Sequence, residues 1–288
     1  MSLLGLFAAV SLSACSSGTS DSTSGQSPAA QAVECAPDNG SIVLPAGFCA
    51  SVVADSVGEP RHLAVNDNGD IYVRLREENQ GGTLLALRDE DGDGQADQME
   101  YFGEEAGGTG LEIHDGHLYY STTTSIHRVP LGGENLVPQD APETIVDGFP
   151  EQSSHAAKSL AISSAGDMYV NVGAPSNSCQ EQDRQPQSPG QDPCPLLERQ
   201  GGVWRVDAAT TGQTQMDDGT RFATGIRNLV ALDWNPITGD LFAAQHGRDQ
   251  LAQNWDFTTT ESAVLPAEEV FLINEGDNFG WPYSYYDQ

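Results

Sequence analysis

Three residues in the second half of the chain have the right types for acid–base chemistry and anion binding. His155 can accept a proton from a hydroxyl group, because an imidazole titrates near neutral pH. Arg227 and Asn228 stand among glycine and polar loop residues, where the guanidinium can hold a carboxylate or a developing oxyanion. Lys158 is the only lysine of the chain, and we expect it to add charge beside His155 or to be exposed. This combination suits the oxidation of an alcohol or the hydrolysis of an ester.

An acidic segment forms a second candidate site, because it fits the calcium-binding loop of an EF-hand at every ligand position. The residues at these positions are Asp89, Asp91, Asp93, Gln95, Asp97 and Glu100. Gly94 stands where the loop needs a sharp turn. No helical pattern flanks the segment, so the sequence predicts a structural calcium site and not a sensor. A solvated acidic turn between two strands is the alternative.

The overall charge of the chain is strongly negative, at −30 with 12 Lys+Arg against 42 Asp+Glu. Nucleic acid is excluded as a partner, because binding it needs a basic face that releases counterions from the phosphates. An acidic, lysine-poor surface is typical of proteins in salty surroundings, where like charges are screened over ~8 Å or less. A basic residue among glycines in such a chain indicates an anion site.

The N-terminus has the features of a bacterial lipoprotein leader. A short apolar run leads into the sequence LSAC, which resembles a lipobox, so residues 1–15 are predicted to be a signal peptide with a lipidated Cys15. The run is too short to span a bilayer. Residues 16–31 are rich in Ser and Thr and predict a flexible tether. We expect an exported protein in the periplasm or at the outer membrane, attached to the membrane only through this lipid; an ordinary cleaved signal peptide and secretion are the alternative.

Four more cysteines are an even number, as expected of disulfides in an exported protein. They are Cys35, Cys49, Cys179 and Cys194. Pairing each cysteine with its neighbour in sequence is the simplest of three connectivities. Their spacing does not resemble a metal-binding cluster, so we expect them to be structural.

A repeated pattern organises residues 32–288. An apolar triplet, a polar turn with a glycine, and an apolar–aromatic strand recur, with the turn glycines at Gly69, Gly116, Gly166 and Gly239. These glycines lie about 47, 50 and 73 residues apart, which is the spacing of propeller blades if residues 179–194 are an insertion. The sequence predicts an all-β β-propeller of four-stranded blades, with four visible and a fifth beginning near the end. We expect the propeller to be C-terminally incomplete; a complete five-bladed ring is the alternative.

The same repeat relates His155 to Arg227. Each lies five residues before the first apolar residue of its blade, Leu160 and Leu232. Loops that enter the innermost strands of a propeller gather around the central channel at one face. We therefore expect His155, Arg227 and Asn228 to converge there. Without this placement, His155 would more simply be a loop histidine with one backbone hydrogen bond.

Five segments in this order resemble the soluble PQQ-dependent sugar dehydrogenases, particularly the L-sorbosone dehydrogenase branch. They are residues 44–48, 60–65, 225–228, 245–249 and 278–282. The resemblance runs from about Leu44 to the C-terminus. It implies a six-bladed propeller in the intact family, and a hydride transfer from a sugar or a sugar-derived aldehyde or alcohol to PQQ. The implied partners are a small sugar substrate and an electron acceptor.

The resemblance also implies roles for individual residues. His155 matches the family's base, Arg227 would stabilise the oxygen of the reduced quinone, and Asn228 would contact PQQ. Lys158 is a further candidate for a cofactor contact. The backbone carbonyls of Gly247 and Arg248 would hold a Ca²⁺ ion against PQQ.

This chain departs from the glucose-oxidising members of that family at several positions. It has Ser154 where they have Asp and Arg248 where they have Pro, and no glutamine near Gly107 matches the one that they use on PQQ. Two other functions therefore stay open at this point. One is a calcium-dependent lactonase-type hydrolase, and the other is a propeller that binds carbohydrate or protein without catalysis.

Overall fold

The computed structural model of the chain describes residues 33–132 and 134–284. The predicted signal peptide with Cys15 and the predicted tether lie outside these ranges and stay predictions. Within the described ranges, no helix has the length and apolar character needed to cross a membrane.

The described residues fold into four sheets, one for each predicted repeat. The first sheet consists of β1 (Pro60–Val65), β2 (Ile71–Asn79), β3 (Gly82–Arg88) and β4 (Gln98–Phe102). The second consists of β5 (Leu111–His114), β6 (His117–Ser121), β7 (Ile126–Pro130) and β8 (Glu143–Asp147). Within each of these two sheets, the successive strands are antiparallel.

The third and fourth sheets continue the pattern with two variations. The third sheet starts with β9 (Leu160–Ile162), β10 (Asp167–Val172) and β11 (Gly202–Asp207). The chain then crosses to the second sheet, where β12 (Gln213–Thr214) pairs in parallel with β8, and returns as β13 (Thr220–Thr224). The fourth sheet has three strands, β14 (Leu229–Asn235), β15 (Asp240–Gln245) and β16 (Glu269–Ile273). Short helices α1 (Leu251–Asn254) and α2 (Thr259–Ser262) lie between β15 and β16, and short 3-10 turns lie at Asn39–Ser41 and Pro195–Glu198.

The first hairpin of every sheet turns at one of the four predicted glycines. Their φ angles are 92° at Gly69, 70° at Gly116, 88° at Gly166 and 75° at Gly239. This left-handed region costs a glycine little and other residues more, which explains why the same residue type recurs at the same place. The sequence repeat therefore marks real blades, and the predicted all-β propeller architecture is confirmed.

The sheets pack face to face through three buried apolar clusters. Each cluster takes side chains from two successive sheets: Tyr72, Leu84 and Leu118 for the first pair, Tyr119, Ile126 and Val170 for the second, and Tyr169, Val203 and Leu241 for the third. Burying one such side chain contributes about 1.5–3 kcal/mol, more than the roughly 0.5–1.5 kcal/mol of a hydrogen bond. The first strands of successive sheets, β1, β5, β9 and β14, are also in contact with one another. This is the blade arrangement of a propeller.

Both predicted disulfides are present, Cys35–Cys49 and Cys179–Cys194. The second closes the loop between β10 and β11 that the repeat spacing marks as an insertion. Cys179 and Cys194 are buried against Trp281, whose indole N–H donates to the carbonyl of Asn177 at 3.0 Å. The loop is therefore fixed to the segment that follows β16.

The segment after β16 forms turns, and within the described residues it contains no strand of a fifth blade. The prediction that a fifth blade begins there is wrong for residues up to 284. The backbone of this segment bonds instead to the residues before Arg227: Phe279 N–H donates to the carbonyl of Thr224 at 3.1 Å, and Trp281 N–H donates to that of Gly225 at 2.8 Å. A Cβ on Gly225 would stand 2.2 Å from Asn278 Oδ1, so the close approach needs a glycine. Two of the resembling sequence segments thus meet in space and position the loop that carries Arg227.

Candidate active site

A cavity of about 440 Å³ lies where the loops before β9 and β14 come together. Its size is within the range of about 300–1,000 Å³ that is usual for small-molecule sites. His155 and Asn228 both line it, as the blade alignment predicts. The other lining residues that bear on its chemistry are Arg61, Arg76, Glu77, Gln152 and His246.

One residue, Ala174, links the loop of His155 to the loop of Arg227. Its N–H donates to the carbonyl of Arg227 at 2.8 Å, and its own carbonyl accepts a hydrogen bond from Nδ1 of His155. Ala174 lies two residues after the end of β10, the strand that pairs with β9. The two loops are therefore held side by side by the backbone of the third blade.

The hydrogen bond to Ala174 determines the tautomer of His155. A carbonyl oxygen only accepts, so Nδ1 must carry the hydrogen and Nε2 is left as the proton acceptor. Burial lowers the pKa of His155; the bond to Ala174 raises it, and the positive charge of Arg227 lowers it. The net pKa lies below the ordinary value, so the imidazole is neutral at pH 7 and able to act as a base.

The backbone around His155 is constrained, because His155 has a φ of 53°, in the left-handed region. Gln152 holds it there. The side-chain amide of Gln152 donates to the carbonyls of Ser154 at 2.8 Å, His155 at 2.9 Å and Gly173 at 2.9 Å. The oxygen of the same side chain accepts a hydrogen bond from Gln200 at 2.7 Å. Gln152 is a site residue that the sequence did not single out.

Gly173 is a second residue that the sequence did not reveal. A Cβ at this position would stand 2.4 Å from Oδ1 of Asn228 and 2.8 Å from Cβ of His155. The site therefore needs the absence of a side chain there. The sequence does contain a signal, since this glycine comes directly after a buried strand and does not form a hairpin turn.

Arg227 lies behind the cavity and does not line it. Its side chain is 3% exposed, and its Nη2 donates to Asp249 Oδ2 at 3.1 Å. Nη1 has a longer contact, at 3.4 Å, with the carbonyl of His246, a residue that does line the cavity. Burial lowers the pKa of Arg227 and the charge of Asp249 raises it. The positive charge of Arg227 lowers the pKa of His155, but the guanidinium of Arg227 is not at the cavity surface.

Lys158 is placed differently from both expectations. It is 0% exposed, its ammonium group donates to the carbonyl of Ala156, and Nζ lies 6.0 Å from the centre of the Phe149 ring. It does not line the cavity. Burial lowers its pKa to about 8. The expectation of an exposed or rim position is therefore wrong, because the loop after His155 folds the side chain into the apolar contact between blades.

Basic residues are concentrated at the cavity although the chain is acidic overall. Arg61 and Arg76, from β1 and β2, line it together with His155 and His246, and Glu77 is the one carboxylate among the lining residues. The sequence did not reveal the two arginines as site residues, because they belong to the first blade and are far from His155 along the chain. The scarcity of basic residues in this acidic chain was the only sequence signal that pointed to them.

The chain belongs to the TrAA12-like family. The family's sequence pattern matches residues 42–286. No curated protein matches the sequence.

Solved structures with this fold include the holo form of the PQQ domain of pyranose dehydrogenase from Coprinopsis cinerea, with a TM-score of 0.60, 16% identity, and coverage of 81% of this chain and 53% of that one. The iodide structure of Trichoderma reesei family AA12 has a TM-score of 0.63 and 18% identity, covering 85% and 63%. The PQQ-bound aldose sugar dehydrogenase from Streptomyces coelicolor has a TM-score of 0.53 and 20% identity, covering 81% and 65%. The resemblance to PQQ-dependent sugar dehydrogenases is confirmed. The chain spans 53% to 65% of the length of these structures.

The two residues with a predicted carbonyl contact to calcium, Gly247 and Arg248, lie just after β15 and follow His246 of the cavity. The N–H of Gly247 donates to Glu268 Oε2 at 2.9 Å, and the Arg248 guanidinium lies 4.5 Å from the centre of the Trp255 ring. The exposed carboxylate of Glu268 borders this segment and is a hard oxygen donor of the kind that fits Ca²⁺. Both oxygens of the neighbouring Asp249 accept hydrogen bonds from arginines.

The acidic loop joins β3 to β4 without flanking helices, as predicted. Ligand atoms of Asp89, Asp91 and Asp97 lie within 4.8 Å of one another. Gly94 has the φ of 86° that the sharp turn requires. Asp93 accepts instead from the N–H of Gln95 at 2.8 Å, and Glu100 lies within β4, opposite Ala86. The structure thus brings together three of the six predicted ligand positions.

Proposed function

We propose that this chain forms the base-bearing part of an exported dehydrogenase that depends on PQQ and Ca²⁺ and oxidises a sugar or a sugar-derived aldehyde or alcohol. The observation that carries this proposal is His155, neutral and with Nε2 available, on the wall of a cavity that Arg61, Arg76 and His246 also line. Membership of the TrAA12-like family and the names of the structural neighbours support the same chemistry.

The residues at the cavity fit the anionic character of PQQ. Its three carboxylates need positive charge, and Arg61, Arg76 and His246 supply donors there, with Arg227 behind them. The Nε of Arg227 is buried behind the cavity and has no hydrogen-bond partner among the described residues, so it is a donor left unsatisfied next to the site. PQQ, when bound, supplies the acceptor for the hydride of the substrate.

The roles of the chain's own groups follow from their hydrogen bonds. His155 would take the hydroxyl proton of the substrate at Nε2 while the carbonyl of Ala174 holds the ring. Oδ1 of Asn228 accepts from Asn171 at 3.2 Å, so its own amide N–H groups are left to orient the cofactor. Arg227 would keep His155 neutral and stabilise negative charge that develops on the quinone oxygen.

Calcium enters the proposal at two places. The carbonyls of Gly247 and Arg248 would hold one ion next to the cofactor. The other ion would be structural, bound by the cluster of Asp89, Asp91 and Asp97 and, after small side-chain movements, by the remaining positions of the loop: Asp93, Gln95 and Glu100.

Export and attachment through lipid on Cys15 complete the proposal. Two disulfides among the described residues suit an oxidising compartment outside the cytoplasm. The variant Cys15→Ser should move the protein from the membrane fraction to the soluble fraction. A protein that stays in the membrane fraction after this change would contradict the anchor.

The activity is tested by adding PQQ and Ca²⁺ to the purified protein, supplying aldoses and sorbosone, and following the reduction of an electron-accepting dye. We expect reduction in the unchanged protein and its loss in His155→Gln. His117→Gln is a matched control, because His117 also has an Nδ1 contact with a backbone carbonyl, at 2.8 Å from Asp115, but does not line the cavity. Hydrolysis of a lactone without dye reduction, or no PQQ binding at all, would refute the proposal.

A further inference from the structure

The loop closed by the Cys179–Cys194 disulfide reaches the candidate active site through a single carboxylate. Oδ2 of Asp249 accepts from Arg227 Nη2 at 3.1 Å, and Oδ1 accepts from Arg184 Nη1. Arg184 belongs to the disulfide loop, between β10 and β11. Its Nη1 also donates to Oε1 of Gln250 at 2.9 Å. Asp249 is thus shared between an arginine of the site and an arginine of the insertion.

The position of the disulfide loop against Asp249 is fixed at the backbone. The Asn177 side chain donates to the carbonyl of Asp249 at 2.9 Å and accepts from its N–H at 3.1 Å. Asp183, next to Arg184, accepts from the hydroxyl of Ser176 at 2.6 Å and from the N–H of Asn177 at 2.9 Å. These bonds and the disulfide position Arg184 next to Asp249.

Sharing one carboxylate limits how Asp249 can pair with Arg227. A carboxylate tends to take both oxygens to one guanidinium and form a bidentate pair. Here Arg184 occupies one oxygen, so Arg227 has a single bond to Asp249. Without Arg184, Asp249 is free to turn both oxygens to Arg227 and to neutralise it more completely.

We propose that Arg184 is a positioning residue that keeps Arg227 singly paired, and so preserves the positive charge of Arg227 behind the active site. The inference rests on the proposed function, in which Arg227 and His155 act together. It assigns a role to the disulfide loop, which carries an arginine that competes with Arg227 for Asp249.

The charges around His155 make the pKa of His155 a measure of what Arg184 does. Arg227 and Arg184 lower the pKa of His155, and Asp249 raises it. Three more charged or titratable groups besides Glu77 line the same cavity: Arg61, Arg76 and His246. Removing Arg184 acts in one direction only, because it deletes a positive charge and lets Asp249 cancel a second one. The pKa of His155 should therefore rise.

The test compares Arg184→Gln with Arg184→Lys and with a matched control, Arg205→Gln. The Arg205 side chain is 30% exposed against 28% for Arg184, and it also bonds a carboxylate, Glu275, at 3.1 Å. Two quantities are measured: the pKa of His155 by NMR titration without cofactor, and the Kd of PQQ by quenching of tryptophan fluorescence. In Arg184→Gln we expect a raised pKa of His155 and, because the positive charge behind the cavity is more fully neutralised, PQQ binding weaker by about tenfold, which is the effect of about one charge-assisted interaction. Arg184→Lys should restore most of both values, and Arg205→Gln should change neither.

The outcomes separate this inference from the proposed function. An unchanged pKa of His155 in Arg184→Gln, or an equal rise in Arg205→Gln, would overturn the role of Arg184. A raised pKa together with no PQQ binding by any variant would uphold the position of Arg184 and overturn the proposed cofactor. A second pair, Cys179→Ser with Cys194→Ser, should act as Arg184→Gln does, whereas Cys35→Ser with Cys49→Ser should leave the pKa of His155 unchanged; the reverse result would also overturn the inference.

Discussion

The substitution Gly173→Ala tests whether the two loops of the site are packed as tightly as the structure shows. The new Cβ would stand 2.4 Å from Oδ1 of Asn228 and 2.8 Å from Cβ of His155, both closer than real Cβ contacts. Overpacking of this kind costs about 1–3 kcal/mol. In a domain of this size each kcal/mol lowers Tm by roughly 2–4 °C. The shift of His155 or Asn228 that relieves the contact should also reduce activity, by about a hundredfold for a displacement near 1 Å.

Gly132→Ala is the matched control, because a Cβ there meets no atom within 4 Å. Both variants are compared with the unchanged protein by thermal unfolding and by the Kd of PQQ. We expect Gly173→Ala to lower Tm and weaken PQQ binding, and Gly132→Ala to do neither. If the two variants have the same Tm and the same Kd, the close packing of His155, Gly173 and Asn228 is refuted.

Two more predictions concern the acidic loop and the buried lysine. Terbium luminescence should show stoichiometric binding that is lost in Asp97→Asn and kept in Asp67→Asn, an exposed turn control; loss in neither variant contradicts the calcium loop. Burial lowers the pKa of Lys158 from its ordinary value of 10.5 to about 8 in the folded protein. Below pH 8 the ammonium group is charged in both states, so the whole free-energy cost of burying the charge is present. This cost decreases as the pH rises from 8 and is almost gone at about pH 10.5. Lys158→Met should therefore stabilise the protein by about 3 kcal/mol at pH 7 and by little at pH 10.5, as measured by urea unfolding; equal effects at both pH values would contradict the burial.

The hairpins and disulfides were predictable because their causes are local. A left-handed turn needs Gly69 or Gly166 whatever surrounds it, and the cysteines of each pair are close in sequence. The blade repeat then placed His155 and Asn228 on one cavity, since equivalent loops of a propeller meet at one face. These features follow from short segments and from their spacing.

The burial of Arg227 and Lys158 was not predictable in the same way. It depends on Asp249 and His246 for the first, and on the contact with Phe149 for the second, all of which come from other loops or strands. Such contacts leave no periodic signal in the sequence. Strand pairing likewise determines where the loop motif at residues 89–100 ends, because it places the last position of the motif within β4.

The roles of Gln152 and Gly173 also come from tertiary structure. One side chain binds three carbonyls from two separated segments, and one missing side chain admits two loops at once. Neither residue type at that position indicates chemistry by itself. By contrast, Arg61 and Arg76 of the cavity are marked in the sequence itself, because basic residues are rare in so acidic a chain.

The pH dependence of dye reduction tests the central claim most directly, that neutral His155 is the base of a PQQ site. Because the pKa of His155 is lowered below 6.5, the rate with PQQ, Ca²⁺ and a saturating sugar should be constant near pH 7 and fall only as pH drops through that lowered value. In His155→Gln the residual rate should lose this acidic limb, while His117→Gln keeps it. An acidic limb that persists unchanged in His155→Gln, at an undiminished rate, would contradict the account.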